Sequence, residues 1–148
     1  MNDVLYMQEA LKEAEKAFSI GEVPIGAVIT RGGEIIARGY NLREKHKDAT
    51  AHAEIVAMRQ AGEALGGWRL LGCTLYVTIE PCPMCAGAMV QARLPKLVYG
   101  ARDEKGGAAG SIYNLVQEEK FNHRLEVREG VLAEESKALM QKFFKARR

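Results

Sequence analysis

The stretch Thr74–Cys85, TLYVTIEPCPMC, leaves the chain little conformational freedom. Leu75, Val77 and Ile79 alternate with Thr74, Tyr76 and Thr78, which is the two-residue period of a strand. Pro83 suits the first turn of a helix, where its missing N–H costs nothing. CAGAMVQARL carries that helix to just before Pro95. Cys82 and Cys85 therefore stand at the start of a helix that follows directly on a strand. Two thiols so placed are a disulfide, a redox pair, half of a structural zinc site or part of a catalytic one. The rest of the chain has to decide.

Helical and strand periods alternate on either side. Val4, Met7, Leu11, Ala14 and Phe18 predict an amphipathic helix, with Asp3 as its cap and Gly21 as its stop. IGAVITRGGEIIARGYN sets two β-branched runs around Gly32-Gly33, which supplies the positive φ values of a tight hairpin turn. Residues 41–50 read as a polar loop. A second helix runs from Thr50 to about Leu65, with Ile55, Met58 and Leu65 inward. Beyond the Pro83 helix come a short strand at Lys96–Ala101, a glycine-rich loop RDEKGGAAGS and a short helix over Ile112–Lys120. A strand at Leu125–Arg128 follows, then a helix from Glu134 carrying Leu139, Met140, Phe143 and Phe144. The alternation predicts an α/β architecture, with helices packed on a sheet that begins as a hairpin.

At 148 residues the chain has the size of one domain, able to bury roughly 68–70% of its unfolded surface. No run approaches the ~18 apolar residues of a membrane span. The acid-bearing start, MNDVLYMQEALKEAEKA, lacks a basic-then-apolar signal pattern. The expectation is a cytoplasmic protein without membrane contact, where thiols stay reduced. Three cysteines, an odd number, argue further against a disulfide. A formal net charge of +2 neither announces a nucleic-acid partner nor excludes one that touches a few phosphates.

Both thiols sit where the positive end of a helix dipole favours the thiolate a metal needs. A redox Cys-x-x-Cys has the same local geometry, so the motif alone leaves both readings open. TAHAEI, Thr50–Ile55, brings the partners: His52 and Glu54 in a helix's first turn, with Thr50 as its cap. In mid-helix, residues two apart point about 200° away from each other. At a helix start both can reach an ion lying off its end. A structural zinc site takes four protein ligands, a catalytic one three and a water. Of the spare candidates, Cys73 begins the strand that Cys82 follows, roughly 20 Å or more from the metal end. His46 and His123 lack ligand spacing to the others. The pattern predicts one zinc on His52, Cys82 and Cys85 with an open fourth position, and Glu54 beside it as general acid/base. Taken singly, each residue has a plainer role: a helix-start His is a cap or surface residue, a helix-start Glu answers the dipole, and Cys73 is a small buried side chain.

His-Ala-Glu joined to Pro-Cys-x-x-Cys is a signature of zinc deaminases. EVPIGAV, RGYN, TAHAEI, TLYVTIEPCPMCAGAM, YGARDEKGGAAGS and NHR extend the likeness over almost the whole chain. The sequence resembles the bacterial tRNA-specific adenosine deaminases of the cytidine/deoxycytidylate deaminase superfamily. The metal motifs are shared with cytidine, guanine and deoxycytidylate deaminases, so GARDEKGGAAGS and NHR are what discriminate. The resemblance implies a three-layer α/β/α cytidine deaminase-like fold, its mixed five-stranded sheet flanked by helices on both faces. A single zinc-dependent deaminase domain would span residues 1–148, with one Zn²⁺ per subunit. The implied reaction is hydrolytic deamination of adenosine to inosine at the wobble position of a tRNA anticodon loop. The implied assembly is a homodimer whose pocket is completed across the interface.

Carried over by position, the resemblance makes Asn41 a hydrogen-bonding partner of the purine and Val23 an apolar wall. Asp103 and Phe144 would line the pocket and touch neighbouring nucleotides. Without it, Asn41 ends a strand, Asp103 is a turn residue, and Phe143 and Phe144 are both core. Cations available for phosphates are Arg43, Lys45, Lys47, Arg102, Lys105, Lys142, Lys145, Arg147 and Arg148. Two other readings stand beside this one: a deaminase of free guanine, cytidine or dCMP on the same fold, and a zinc or redox module without turnover.

Overall fold

The computed structural model describes residues 2–147. Gly32 and Gly33 take φ of +59° and +82° and close the expected hairpin between β1 (Gly26–Arg31) and β2 (Glu34–Tyr40). With β3 (Cys73–Ile79), β4 (Lys96–Ala101) and β5 (Glu126–Arg128), they form one sheet in the order β2-β1-β3-β4-β5. β1 is antiparallel to both neighbours, whereas β3, β4 and β5 run parallel, so the sheet is mixed.

Side-chain alternation divides the core in two. Val28, Tyr76 and Val98 face α1 (Asp3–Ser19), which shares its side of the sheet with α5 (Ala133–Ala146). Ile29, Leu75, Val77, Leu97 and Tyr99 face α3 (Ala53–Leu65) and α4 (Pro83–Gln91). The result is the three-layer α/β/α arrangement. Tyr76 and Thr78, the polar half of the β3 alternation, are buried as well, because both faces of this central strand are covered. Among the described residues, no helix is long and apolar enough to cross a membrane.

Several local expectations change. The inward face of α1 is Met7, Ala10, Ala14 and Ala17, while Val4 is exposed. The reason is the closeness of the sheet: a Cβ on Gly26 would lie 2.1 Å from the Ala10 carbonyl oxygen. Only small side chains fit between layers at that distance. Asp3 is not a cap; that position is Asn2. The Asp3 carboxylate accepts instead from the Tyr76 hydroxyl at 2.7 Å and the Arg128 guanidinium at 2.5 Å, tying α1 to β3 and β5.

Thr50 is not a cap either. Its N–H and hydroxyl both go to Asp48 Oδ1, at 2.8 and 2.7 Å, and α3 starts at Ala53 with His52 as the N-cap residue. The 41–50 loop contains one helical turn, α2 (Arg43–His46). The helix expected over Ile112–Lys120 shrinks to a 3₁₀ turn at Leu115–Gln117. Ile112 and Leu115 donate their N–H groups back to Gly107 and Ala108, which draws the segment onto the glycine-rich loop.

Gly39 matters most for the site. A Cβ there would lie 2.4 Å from the Ala53 carbonyl oxygen and 2.7 Å from the Ala57 nitrogen, so the start of α3 rests directly on β2. Gly39→Ala is expected to cost about 1–3 kcal/mol in urea denaturation, by forcing the helix off the sheet. Gly67→Ala, with nothing within 4 Å of its added Cβ, should stay within about 0.5 kcal/mol of the parent. Equal midpoints for the two variants would contradict this packing.

Candidate active site

The end of β2, the start of β1 and the end of β3 meet at one end of the strands, through the pairs Gly26–Tyr40 and Ala27–Val77. α3 and α4 both begin there. His52 and Cys82 occupy the two N-cap positions with extended backbone, ψ of 155° and 172°, and neither side chain caps its own helix. Both are left free to point off the helix ends. Cys85, one turn into α4, is fully buried below them.

The three side chains meet. His52 Nδ1 lies 3.6 Å from Cys82 Sγ and 3.5 Å from Cys85 Sγ. The three ligand atoms fall within 4.8 Å of one another, a group that can hold a metal ion. Metal bonds of about 2.3 Å to sulfur and 2.0–2.1 Å to nitrogen, at a tetrahedral angle, separate N from S by about 3.5 Å. The residues fit. Cys73, buried at the far end of β3, points its thiol at the Leu71 carbonyl, and His123 bonds the Leu94 carbonyl. Neither joins the group.

The three side chains perturb one another's protonation. The Cys85 thiol donates to Cys82 and, with His52, brings the Cys82 pKa down to about 4, into the thiolate form that ligates metals. The same contact, with burial, pushes Cys85 up. The Cys82 sulfur in turn raises His52. Glu54, 4% exposed, is pushed up to about 7 by burial, with the Cys82 charge adding to the effect. A carboxyl titrating there is suited to exchanging protons near neutral pH.

His52, Glu54 and Cys82 line one cavity of about 120 Å³ together with Val23, Asn41 and Asp103. Asn41 is buried but loosely held: its amide donates to the Val23 carbonyl at 3.4 Å and accepts from the Arg43 N–H at 3.3 Å. A ligand can compete for bonds of that length. Phe144 stands outside this cavity. It is 47% exposed and lines the adjoining groove with Asp103, Ile25 and Met140, whereas Phe143 is buried. The two rings meet edge-on at 5.3 Å.

Two buried carboxylates also shape the site. Glu22 accepts the Glu44 and Lys45 N–H groups at 3.1 and 2.7 Å, holding α2 beside the cavity. Glu80, between β3 and Cys82, binds the glycine-rich loop. In the sequence each is one acid among many, and only an acid next to an otherwise apolar strand marks Glu80. Three of the cations are engaged: Arg102 pairs with Glu129 at 3.1 Å, Arg147 bonds the Gly21 carbonyl and stacks on Phe143, and Lys142 lies over the Phe18 ring at 5.2 Å. Arg148 lies outside the described residues.

A family model for MafB19-like deaminases matches residues 1–148. The chain is 58% identical over 143 residues to a tRNA-specific adenosine deaminase of Bacillus subtilis (strain 168), covering 97% of this chain and 89% of that protein. It is also similar to a structure solved in a study of A-to-I editing by tRNA:A34 deaminases at the wobble position of transfer RNA. The TM-score is 0.88 at 46% identity, over 91% of this chain and 98% of that one. A guanine deaminase from Bacillus subtilis gives a TM-score of 0.66 at 41% identity, over 69% of this chain and 66% of that one.

Cys82→Ser and Cys85→Ser are each expected to lose bound metal in elemental analysis, while Cys73→Ser keeps it. Full retention in the first two, or loss in the third, would contradict the ligand set.

Proposed function

The chain belongs to the tRNA-specific adenosine deaminases, within the MafB19-like deaminases, and from that premise we propose that it converts adenosine to inosine at the wobble position of a tRNA anticodon loop. The buried Glu54 carboxyl in the same cavity as His52 and Cys82 carries the deamination, and the likeness to tRNA-specific adenosine deaminases over nearly the whole chain carries the substrate. Identity is higher to the tRNA-specific adenosine deaminase (58% over 97% of this chain) than to the guanine deaminase (41% over 69%), which favours the tRNA substrate over a free base.

His52 Nδ1, Cys82 and Cys85 are the residues that would hold one Zn²⁺. When bound, the ion supplies the Lewis acidity that makes water a nucleophile near neutral pH. Glu54 takes the proton that the attacking water releases and delivers it to the ring nitrogen beside C6. The water oxygen bonds to C6 and a tetrahedral carbon forms; Glu54, deprotonated again, takes the remaining proton from the C6 hydroxyl and passes it to the departing amine. The C6–N bond breaks and ammonia leaves, so adenosine and water become inosine and ammonia. Asn41 would hydrogen-bond the purine, Val23 would pack on its face, and Asp103 and Phe144 would meet the neighbouring nucleotides. The anticodon loop is already single-stranded, so turning the base into the cavity disrupts little stacking.

The homodimer implied by the resemblance belongs to the same proposal. An exposed apolar groove between α3 and α4, lined by Ile55, Met58, Trp68, Leu70, Ala88 and Ala92, supports it. Contiguous apolar surface of this kind marks association sites. Sedimentation of a fully active monomer at assay concentrations would contradict the shared pocket.

Glu54→Ala is expected to keep metal and RNA binding and to lose about 10²–10⁴-fold or more in turnover. Near-normal turnover would remove Glu54 from the mechanism. Wild-type kinetics on an anticodon stem-loop, free adenosine and cytidine should show the stem-loop far ahead. RNA binding should weaken with salt by a log–log slope of about 0.7 per phosphate contact. Comparable efficiency on a free nucleoside, or binding indifferent to salt, would favour the free-base class.

A further inference from the structure

Glu80 lines the same cavity as Glu54, two residues ahead of Cys82, and is 3% exposed. A buried carboxylate there has the chemistry of a second acid/base, but its lone pairs are already occupied. Oε1 accepts the Asp103 N–H at 3.0 Å and the Ser111 hydroxyl. Oε2 accepts the Ala109 and Ser111 N–H groups, each at 3.0 Å. All four donors come from one loop, residues 102–111. Gly107 closes over the carboxylate so tightly that a Cβ would lie 2.3 Å from Glu80 Cδ. Outside, Arg102 pairs with Glu129, which also accepts the Tyr99 hydroxyl at 2.5 Å.

We propose that Glu80 is a positioning residue that sets substrate affinity by holding the 102–111 loop in its binding-ready shape. The Asp103 backbone is anchored directly on Glu80, and the Asp103 side chain lies in both the cavity and the groove that Phe144 lines. A loop already ordered before binding avoids an entropy cost that a released loop would meet at each encounter. Glutamine cannot replace this carboxylate, because its amide NH₂ would face donors. The inference rests on the anticodon-loop reading of the site.

Glu80→Gln and Ser111→Ala test it. Glu80→Gln should keep one metal per chain, raise KM for the stem-loop at least about tenfold, and leave kcat within about threefold. Ser111→Ala should raise KM in the same direction by less, and it decides alone if Glu80→Gln does not fold. Unchanged KM overturns the proposal, and so does metal loss or a fall in kcat alone in folded Glu80→Gln. If the wild type does not act on the stem-loop, the substrate reading fails separately. Amide exchange then decides: faster exchange at Ala109 and Ser111 in Glu80→Gln supports the loop role, and unchanged exchange overturns it.

Discussion

The convergence of the N-termini of α3 and α4 is the constraint on which the rest of the structure depends. Each helix start carries a partial positive charge, so pointing two at one place is unfavourable unless negative groups stand between them. The Cys82 and Cys85 sulfurs provide such groups once they are deprotonated. The sheet then has to deliver both helices to the same end of its strands. Gly39 lets α3 rest on β2, and the Ala27–Val77 pairing brings the start of β1 beside the end of β3. Alanines at positions 53, 57, 61 and 86 keep the layers close. The same small-residue packing on the other face, around Gly26, fixes α1.

The parts of the fold that were legible in the sequence are those specified locally. Gly32-Gly33 supplies the positive φ values of the turn, Pro83 suits the first turn of a helix, and the short apolar run Leu97-Val98-Tyr99 after Pro95 makes β4. The meeting of His52, Cys82 and Cys85 was legible because these residues are concentrated in two short motifs, one at each helix start. Other features depend on partners distant in sequence. Asp3 looks like a cap until Tyr76 and Arg128 arrive from 73 and 125 residues away. Thr50 fails as a cap because Asp48 captures it first. Ile112–Lys120 has helical composition, yet its N–H groups are claimed by Gly107 and Ala108. What Glu80 holds could not be read for the same reason, its four donors lying 23 to 31 residues downstream.

The two phenylalanines show the division of labour between sequence and structure. Helical periodicity places Phe143 and Phe144 alike on an apolar stripe. In the fold Phe143 packs against Phe18 at 5.9 Å, while Phe144 turns to the groove beside Asp103. A one-residue step of 100° along a helix is enough to separate a core residue from a surface one. Arg102 illustrates the same point for charge: it reads as a free cation, yet its guanidinium is committed to Glu129.

X-ray absorption at the metal edge of the isolated holoprotein tests the convergence most directly. The ligand set read from α3 and α4 predicts zinc bound by two sulfurs, one histidine nitrogen and one exchangeable light atom. Three sulfurs, or two histidines, would contradict it. Either would mean that a fourth protein ligand closes the position where water has to bind.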